Sequence, residues 1–253
     1  MAELERVQAK ILDIRRMAER RAQENMQTSM PADYNCPKCF DFGRINGELC
    51  ECAIKSRIES LFKSAAIPKR FQNKTLENFD KPRQQRAYEI AKDYVFFWST
   101  LKESGKGIFM SGKVGTGKSH LAFAILHELI KAQVGGMAAT VPDLMDDLKP
   151  KDDNQDNNRM TLLKTIPFLV LDDLGAQRNT AWVTERLFVI INARYSNMLP
   201  TVITSNTSLE ELERTPGWER IVDRIIETCE LVIMQPGSYR QDEAKKRIRG
   251  GRT

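Results

Sequence analysis

The sequence predicts an α/β fold in which a parallel sheet carries helices on both faces, preceded by a small N-terminal domain. Three observations predict it: a glycine-rich loop between an apolar run and a helix, a buried strand that ends in two carboxylates, and a repeated alternation of apolar strands with amphipathic helices. Open parallel sheets bind ligands beyond the carboxyl ends of their strands. The sequence therefore predicts a ligand site where the loop and the acidic strand end meet.

The glycine-rich loop follows the apolar residues 108–110 and has the phosphate-binding pattern G-x-x-x-x-G-K-S from Gly112 to Ser119. Glycines let backbone N–H groups converge on phosphate oxygens, and the helix N-terminus favours anions. Lys118 would place a charge on the β- and γ-phosphates of ATP, and the Ser119 hydroxyl would ligate Mg²⁺. The residues expected to contact the nucleotide are Gly112, Val114, Gly115, Thr116, Gly117, Lys118, Ser119, His120 and Asp172. A chance glycine-rich turn is the alternative for the isolated pattern.

Two acids end the apolar run of the buried strand predicted within residues 168–175. Asp172 would hold Mg²⁺ and Asp173 would orient or deprotonate the attacking water. The strand predicted at residues 200–206 ends at Asn206, which could position the water or sense the γ-phosphate; a turn-forming asparagine is the alternative. The rings of His120 and His127 are expected to be packed or on the surface rather than catalytic.

Length and composition limit the number of domains and the location expected for the protein. A chain of 253 residues with 41% hydrophobic residues is expected to form one main domain and a smaller appendage. No apolar run approaches the roughly 18 residues that span a bilayer, and the N-terminus is charged from its third residue, without the apolar stretch of a signal peptide. We therefore expect a cytoplasmic protein. Part of the net charge of +5 lies in the tail, which could contact phosphates or be a solvated terminus.

The first 26 residues predict an amphipathic helix. Its apolar stripe recurs at three- and four-residue steps and consists of Leu4, Val7, Ile11, Ile14 and Ala18. This stripe must be buried, either against the rest of the chain or on the helices of a partner.

Four cysteines follow in two pairs. Cys36 and Cys39 are separated by ten residues from Cys50 and Cys52, and Asn46-Gly47 between the pairs is a strong hairpin signal. A hairpin that joins two cysteine pairs predicts a tetrahedral zinc site in a cytosolic protein, although the second pair is C-x-C rather than C-x-x-C. Free thiols and an iron–sulfur cluster remain the alternatives. Cys229 is expected to be a core residue in an apolar helix.

The remaining elements complete the domain plan: an N-terminal domain of residues 1–66, an ATPase domain of residues 67–240 and a basic tail of residues 241–253. Helices are predicted at 53–66, 82–102, 118–132, 180–197, 208–214 and 217–229, and further strands at 137–141 and 231–234. The acidic run 143–160 is expected to be a solvated loop or helix face, and its negative charge argues against a phosphate-contacting surface.

Together these motifs resemble the DnaC/DnaI-type loaders of bacterial replicative helicases, AAA+ ATPases with many phage-encoded members. The resemblance covers about residues 34–245. It rests on the cysteine hairpin, the IPKRF sequence at 67–71, the phosphate loop, LDDLG at 171–175, TSN at 204–206, RIVDR at 220–224 and SYR at 238–240.

The resemblance implies roles for three further positions. Asn206 matches sensor 1, Arg224 matches an arginine finger that acts on the ATP of a neighbouring subunit, and Arg240 matches sensor 2, so hydrolysis would depend on self-association. An ordinary salt bridge on the helix surface is the alternative for Arg224 taken alone. The resemblance also implies that the N-terminal region grips the hexameric helicase and that the AAA+ region binds single-stranded DNA.

Two features depart from the family pattern. Asp173 replaces a more usual glutamate, so hydrolysis is expected to be slow, and the acidic run lies where related loaders place DNA-contacting helices. The alternatives are a transposition-helper ATPase of the IstB type, which the cysteine hairpin disfavours, and an ATP-gated adaptor that barely hydrolyses ATP.

Overall fold

The computed structural model describes residues 34–149 and 153–250, which form two units that divide between Ile54 and Lys55. The helix predicted at residues 1–26 and the last three residues of the tail lie outside the described residues. The predicted domain boundary between residues 66 and 67 stays a prediction.

The first unit contains a short antiparallel hairpin of β1 (Arg44–Ile45) and β2 (Glu48–Leu49). Asn46 and Gly47 connect the strands with φ of 52° and 88°. Two successive left-handed residues make the type of turn that matches the twist of a hairpin. The helix α1 (Glu51–Ser64) starts directly after the second strand and ends in the second unit.

The second unit alternates helices and strands. In chain order its elements are α2 (Gln85–Phe96), α3 (Trp98–Leu101), β3 (Gly107–Ser111), α4 (Lys118–Lys131), β4 (Gly136–Thr140), α5 (Val141–Asp147), α6 (Asp153–Thr165), β5 (Phe168–Leu174), α7 (Ala181–Ser196), β6 (Thr201–Ser205), α8 (Leu209–Glu213), α9 (Glu219–Thr228), β7 (Cys229–Ile233) and α10 (Tyr239–Gly250).

The five strands of the second unit form a parallel sheet in the order β4-β5-β6-β3-β7. The predicted α/β class with a parallel sheet is confirmed. β6 lies between β3 and β5, so the end of β6 adjoins both the phosphate loop after β3 and the acids of β5. This order brings the polar strand ends to one edge, as the topology of open parallel sheets requires.

Apolar side chains cover both faces of the sheet. On one face α2 and α4 pack against residues such as Ile108 and Val170; on the other, α5, α7 and α9 pack against residues such as Phe109 and Leu171. Burial on both faces explains why the strands read as continuous apolar runs rather than as alternating patterns. The helices packed on both faces therefore hold the ligand-binding edge of the sheet rigidly.

Helix caps set several element boundaries. The hydroxyl of Thr180 accepts a hydrogen bond from Val183 N at the start of α7. Ser208 and Glu211 form a reciprocal capping box at α8. Such caps satisfy orphan N–H groups and stabilise a helix by about 1 kcal/mol each.

Some elements differ from the sequence-based expectation. The helix predicted at residues 82–102 is broken at Phe97, whose φ of −93° and ψ of 17° separate α2 from α3. Cys229 is buried, as expected, but it begins β7 rather than ending a helix. Residues 239–250 of the C-terminal region form a helix. Within the described residues, no helix combines the length and the apolar character that a membrane span requires.

Candidate ATP site and cysteine cluster

The phosphate loop requires glycine for two reasons. Gly112, Gly115 and Gly117 have φ of 149°, 85° and 103°, which L-residues rarely adopt. A Cβ atom on Gly115 would also lie 2.3 Å from Ser238 Oγ, and one on Gly117 would lie 2.8 Å from Phe79 Cε2. The loop is therefore enclosed by a segment before the sheet and by the start of α10.

Lys118 lies at the centre of the loop. Its Nζ donates hydrogen bonds to Gly112 O at 2.6 Å, Lys113 O at 3.0 Å and Asn206 Oδ1 at 2.8 Å. Burial lowers the pKa of Lys118, while the charges of Asp173 and Asp172 raise it. All three ammonium protons thus have acceptors, and the cation is held where phosphate oxygens would replace these partners.

Asp172 is 2% exposed at the end of β5. Its Oδ1 accepts a hydrogen bond from Thr204 Oγ1 at 2.6 Å. Burial raises the pKa of Asp172, while hydrogen bonds from the Thr204 and Ser119 hydroxyls lower it. Asp172 and Ser119 are therefore adjacent, and their oxygens form the hard donor set that Mg²⁺ prefers.

Asp173 takes a different direction because its backbone is left-handed, with φ of 59°. This conformation costs a non-glycine residue about 1 to 2 kcal/mol, and it coincides with a register irregularity between Leu171 and Leu174. Asp173 N donates to Thr204 Oγ1 at 3.0 Å, and its Oδ1 accepts from Asn206 Nδ2 at 3.0 Å. The two successive acids therefore serve different parts of the site.

Asn206 links the cation to the second acid. Its amide oxygen accepts from Lys118 and its amide nitrogen donates to Asp173. A single side chain thus contacts both the phosphate-binding lysine and the acid predicted to act on water.

A cavity of about 310 Å³ lies over the phosphate loop. It is lined by Arg70, Phe71, Lys74, Asn78, Phe79, Asp80, Val114, Gly115, Gly117, Lys118, Ser119, His120, Asp173, Asn206, Tyr239 and Arg240. The cavity contains most of the predicted site residues. Gly112, Thr116 and Asp172 are not part of its lining.

The segment of residues 70–80 was not predicted as part of the site. Its sequence signal was the IPKRF sequence at 67–71, which supported the family resemblance but not a place in the site. Phe71 stacks on Phe123 of α4 with ring centroids 4.2 Å apart, and Phe79 meets the His120 ring edge-on at 5.1 Å. His120 Nε2 lies 2.9 Å from Thr75 O, and burial lowers the pKa of its ring. His120 thus fastens this segment to α4, which agrees with the expected packed ring.

The two predicted arginines occupy different places. Arg240 lines the cavity. Arg224 does not: its guanidinium lies 4.2 Å from the Tyr195 ring centroid and pairs with Asp223 and Glu227 at 3.1 Å and 3.6 Å. One chain therefore supplies Arg240 but not Arg224 to its own cavity.

The four predicted zinc ligands are brought together in the first unit. The Sγ atoms of Cys36, Cys39, Cys50 and Cys52 all lie within 4.8 Å of one another. Cys36 Sγ and Cys50 Sγ are 3.8 Å apart, and Cys39 Sγ and Cys52 Sγ are 3.3 Å apart. Zinc–sulfur bonds of 2.3 Å in a tetrahedron place the sulfurs about 3.8 Å apart. The thiols fit a tetrahedral zinc ion.

Backbone groups support this cluster. Gly43 N donates to Cys39 Sγ at 3.3 Å, and the Asp41 carboxylate accepts from the backbone N of Cys36 at 2.9 Å. Backbone N–H groups of Cys39 and Lys38 lower the pKa of Cys36 to about 7, whereas thiol hydrogen bonds from Cys39 and Cys36 raise the pKa of Cys52 to about 12. A bound dication favours the thiolate at every ligand and displaces these protons.

The sheet order, the phosphate loop and the paired acids define an ATP-binding protein with an ATPase-type site. The chain belongs to the family of IstB-like ATP-binding proteins, whose model matches residues 8–247.

Two curated relatives are replicative helicase loaders. DnaC of Escherichia coli is 30% identical over 190 residues, which are 73% of this chain and 76% of DnaC. DnaI of Bacillus subtilis is 31% identical over 188 residues, which are 70% of this chain but 60% of DnaI, less than two thirds of its length.

A crystal structure of the DnaC helicase loader has the same fold. It aligns with a TM-score of 0.61 at 33% identity, over 66% of this chain and all of that one. The predicted AAA+ fold and the resemblance to DnaC/DnaI-type loaders are confirmed.

Proposed function

We propose that this protein is an ATP-dependent loader of the replicative DNA helicase. The observation that carries the proposal is the likeness to two helicase loaders together with a complete phosphate-binding edge in the same fold. ATP would bind over the phosphate loop, drive self-association in the cytoplasm and prepare the loader to deliver the helicase onto single-stranded DNA.

The site residues divide the work of hydrolysis. Lys118 would neutralise the β- and γ-phosphates, and Ser119 and Asp172 would hold Mg²⁺, which when bound would supply charge neutralisation at the phosphates. Asp173 would accept a proton from the water as it attacks the γ-phosphate and ADP leaves. Asn206 would orient Asp173 and this water. Arg240 contacts the γ-phosphate from the start of α10.

The arginine finger comes from a second copy of the chain. Arg224 is absent from the lining of its own cavity and is held by Tyr195, Asp223 and Glu227 on α7 and α9. An arginine supplied in trans makes hydrolysis depend on assembly.

The zinc hairpin is a suitable surface for gripping the helicase. Four apolar side chains between residues 34 and 49 are exposed: Tyr34 (41%), Phe42 (85%), Ile45 (40%) and Leu49 (44%). Exposed apolar side chains concentrated on so small an element are typical of protein-binding sites. Zinc fixes the backbone that presents them. The helix predicted at residues 1–26 would complete this grip.

Contact with single-stranded DNA is assigned to cationic side chains near the acidic run and on α10. Lys245 and Arg247 are exposed on α10, and such cations bind phosphates without reading sequence.

The test begins with affinity purification of the tagged chain from its host and mass spectrometry of stoichiometric partners. The purified helicase is then loaded onto circular single-stranded DNA, and unwinding of a forked substrate is measured. Lys118→Ala should abolish loading. Lys113→Ala is the matched control, because that lysine belongs to the same loop but not to the lining of the cavity. Phe42→Ser should lose helicase binding and keep zinc, whereas Glu48→Gln on the same hairpin should keep both.

Other outcomes would point to other functions. A transposase as the stoichiometric partner would favour a transposition helper, which the family match also allows. Turnover no higher than that of Lys118→Ala, with and without single-stranded DNA, would favour an ATP-gated adaptor.

A further inference from the structure

The turn before α2 is hydrogen-bonded to the stretch that follows β7. Gln84, which is 4% exposed, donates from Nε2 to Gln235 O at 2.8 Å and accepts from Gln235 N at 2.9 Å. A side-chain amide that pairs with a peptide group in both directions behaves like a short piece of sheet. The stretch that leads into α10 is therefore fixed to the stretch that leads into α2.

Arg83, in the 3₁₀ turn Lys81–Arg83, contacts the first turn of α10 twice. Its Nη1 pairs with Asp242 Oδ2, and its Cζ lies 4.9 Å from the ring centroid of Tyr239. Arg83 Nε also lies 3.6 Å from Asp80 Oδ2 in its own turn. One guanidinium thus joins the segment before the sheet to the C-terminal helix.

Tyr239 carries this connection to the phosphate loop. Its hydroxyl donates to Asp80 O at 2.8 Å, and its backbone N donates to Gly115 O at 3.0 Å. The next residue is Arg240. Among residues 34–149 and 153–250, no ion pair or side-chain hydrogen bond is made by Arg240, so its direction is set by the helix that bears it.

We propose that Arg83 is a positioning residue for Arg240: by holding Tyr239 and Asp242, it orients the first turn of α10 so that Arg240 projects over the phosphate loop. The inference rests on the proposed ATP site and concerns how that site recognises the γ-phosphate. A partly exposed ion pair adds little to folding stability. The contribution of Arg83 is therefore expected in nucleotide binding rather than in thermal stability.

The test is a double-mutant cycle on the full-length protein, with dissociation constants for a non-hydrolysable ATP analogue and for ADP measured by fluorescence titration. Arg83→Ala should weaken binding of the analogue about 5- to 10-fold and change ADP binding less than about twofold. Arg240→Ala should do the same. The double variant should be no weaker than Arg240→Ala alone, because contacts that act through one group are not additive.

Two further variants control the interpretation. Lys81→Ala removes a cation from the same turn, but the Lys81 ammonium lies over the Tyr88 ring and not against α10. The affinities of this variant for the ATP analogue and for ADP should therefore equal those of the wild type. Arg83→Lys keeps the ion pair and should restore part of the ATP preference even if Arg83→Ala folds poorly by circular dichroism.

Additive losses in the double variant, or equal losses for ATP analogue and ADP in Arg83→Ala, would overturn the inference. So would wild-type affinities in Arg83→Ala while Lys118→Ala no longer binds nucleotide. Wild-type affinity in Lys118→Ala would instead overturn the ATP site itself.

Discussion

The cysteine hairpin and the ATP cavity place their functional groups by opposite means. The hairpin collects four thiols from residues 36 to 52 with two short strands and a turn, whereas the cavity collects side chains from residues 70 to 240 on the edge of a sheet buried on both faces. The hairpin leaves its larger apolar side chains exposed, and the proposed zinc ion would therefore be needed to hold its structure. The cavity depends on the hydrophobic core.

Removal of zinc is expected to have the largest effect. Zinc bound to small structural sites contributes on the order of 10 kcal/mol to folding. Cys39→Ser should therefore lose the metal and helicase binding together. ATP affinity should stay within about twofold of the wild type, because the cavity lining begins at Arg70. Metal analysis, helicase binding assays and nucleotide titration measure the three quantities.

Cys229→Ala is the control for this variant, because Cys229 is a cysteine outside the cluster, and it should keep one zinc per chain. Lys118→Ala tests the converse, because this variant should keep its zinc and lose nucleotide binding. A wild-type protein without zinc, purified under conditions that protect thiols, would contradict the zinc assignment.

A second prediction concerns the step that needs two copies of the chain. Arg224→Ala should bind ATP normally but lose at least about 100-fold in assembly-stimulated turnover, because an arginine finger stabilises charge only in the transition state. Steady-state phosphate release in the presence of helicase and single-stranded DNA measures this. Arg220→Ala, one helical turn earlier on α9, is the matched control.

Mixing variants sharpens this prediction. Arg224→Ala retains an intact cavity and Lys118→Ala retains an intact finger, so an equimolar mixture should recover part of the turnover that each lacks. Unchanged turnover in Arg224→Ala alone would exclude it as the finger.

The smallest effect on folding stability is expected at Asp172. Because burial raises the pKa of this acid, the charged form destabilises the fold at any pH above its raised pKa, and this cost disappears as pH falls below the unfolded value of about 4. Asp172→Asn should therefore raise the melting temperature of the nucleotide-free protein by about 2 to 4 °C at pH 8 and by less at pH 5. The variant should also lose Mg²⁺-dependent hydrolysis. A melting temperature at pH 8 equal to or below that of the wild type would contradict the expectation.

Local patterns were sufficient for much of this protein. The glycine spacing of the phosphate loop, the acids that end β5, the cap at Ser208 and the two cysteine pairs each depend on residues close in the chain. Their geometry follows from backbone conformations that only certain residues adopt, such as the left-handed turn at Asn46 and Gly47. For this reason the fold class and the clustering of the four cysteines could be predicted without a structure.

Other features required tertiary structure. No local pattern indicates that the helix predicted at 82–102 breaks at Phe97, that Cys229 begins a strand, or that residues 70–80 close the cavity. The left-handed backbone of Asp173 is likewise invisible in sequence, since aspartate adopts it only where the surrounding sheet compensates its cost.

The sequence by itself determined which groups could bind ATP and zinc: one lysine, two acids, an asparagine and four thiols in recognisable spacing. The tertiary structure decided which of them meet. Because β6 lies between β3 and β5, Asn206 contacts both Lys118 and Asp173. Arg83 contacts Asp242, which lies much later in the chain. Strand order and contacts between distant segments are set by the packing of whole faces, a property that no short stretch of sequence contains.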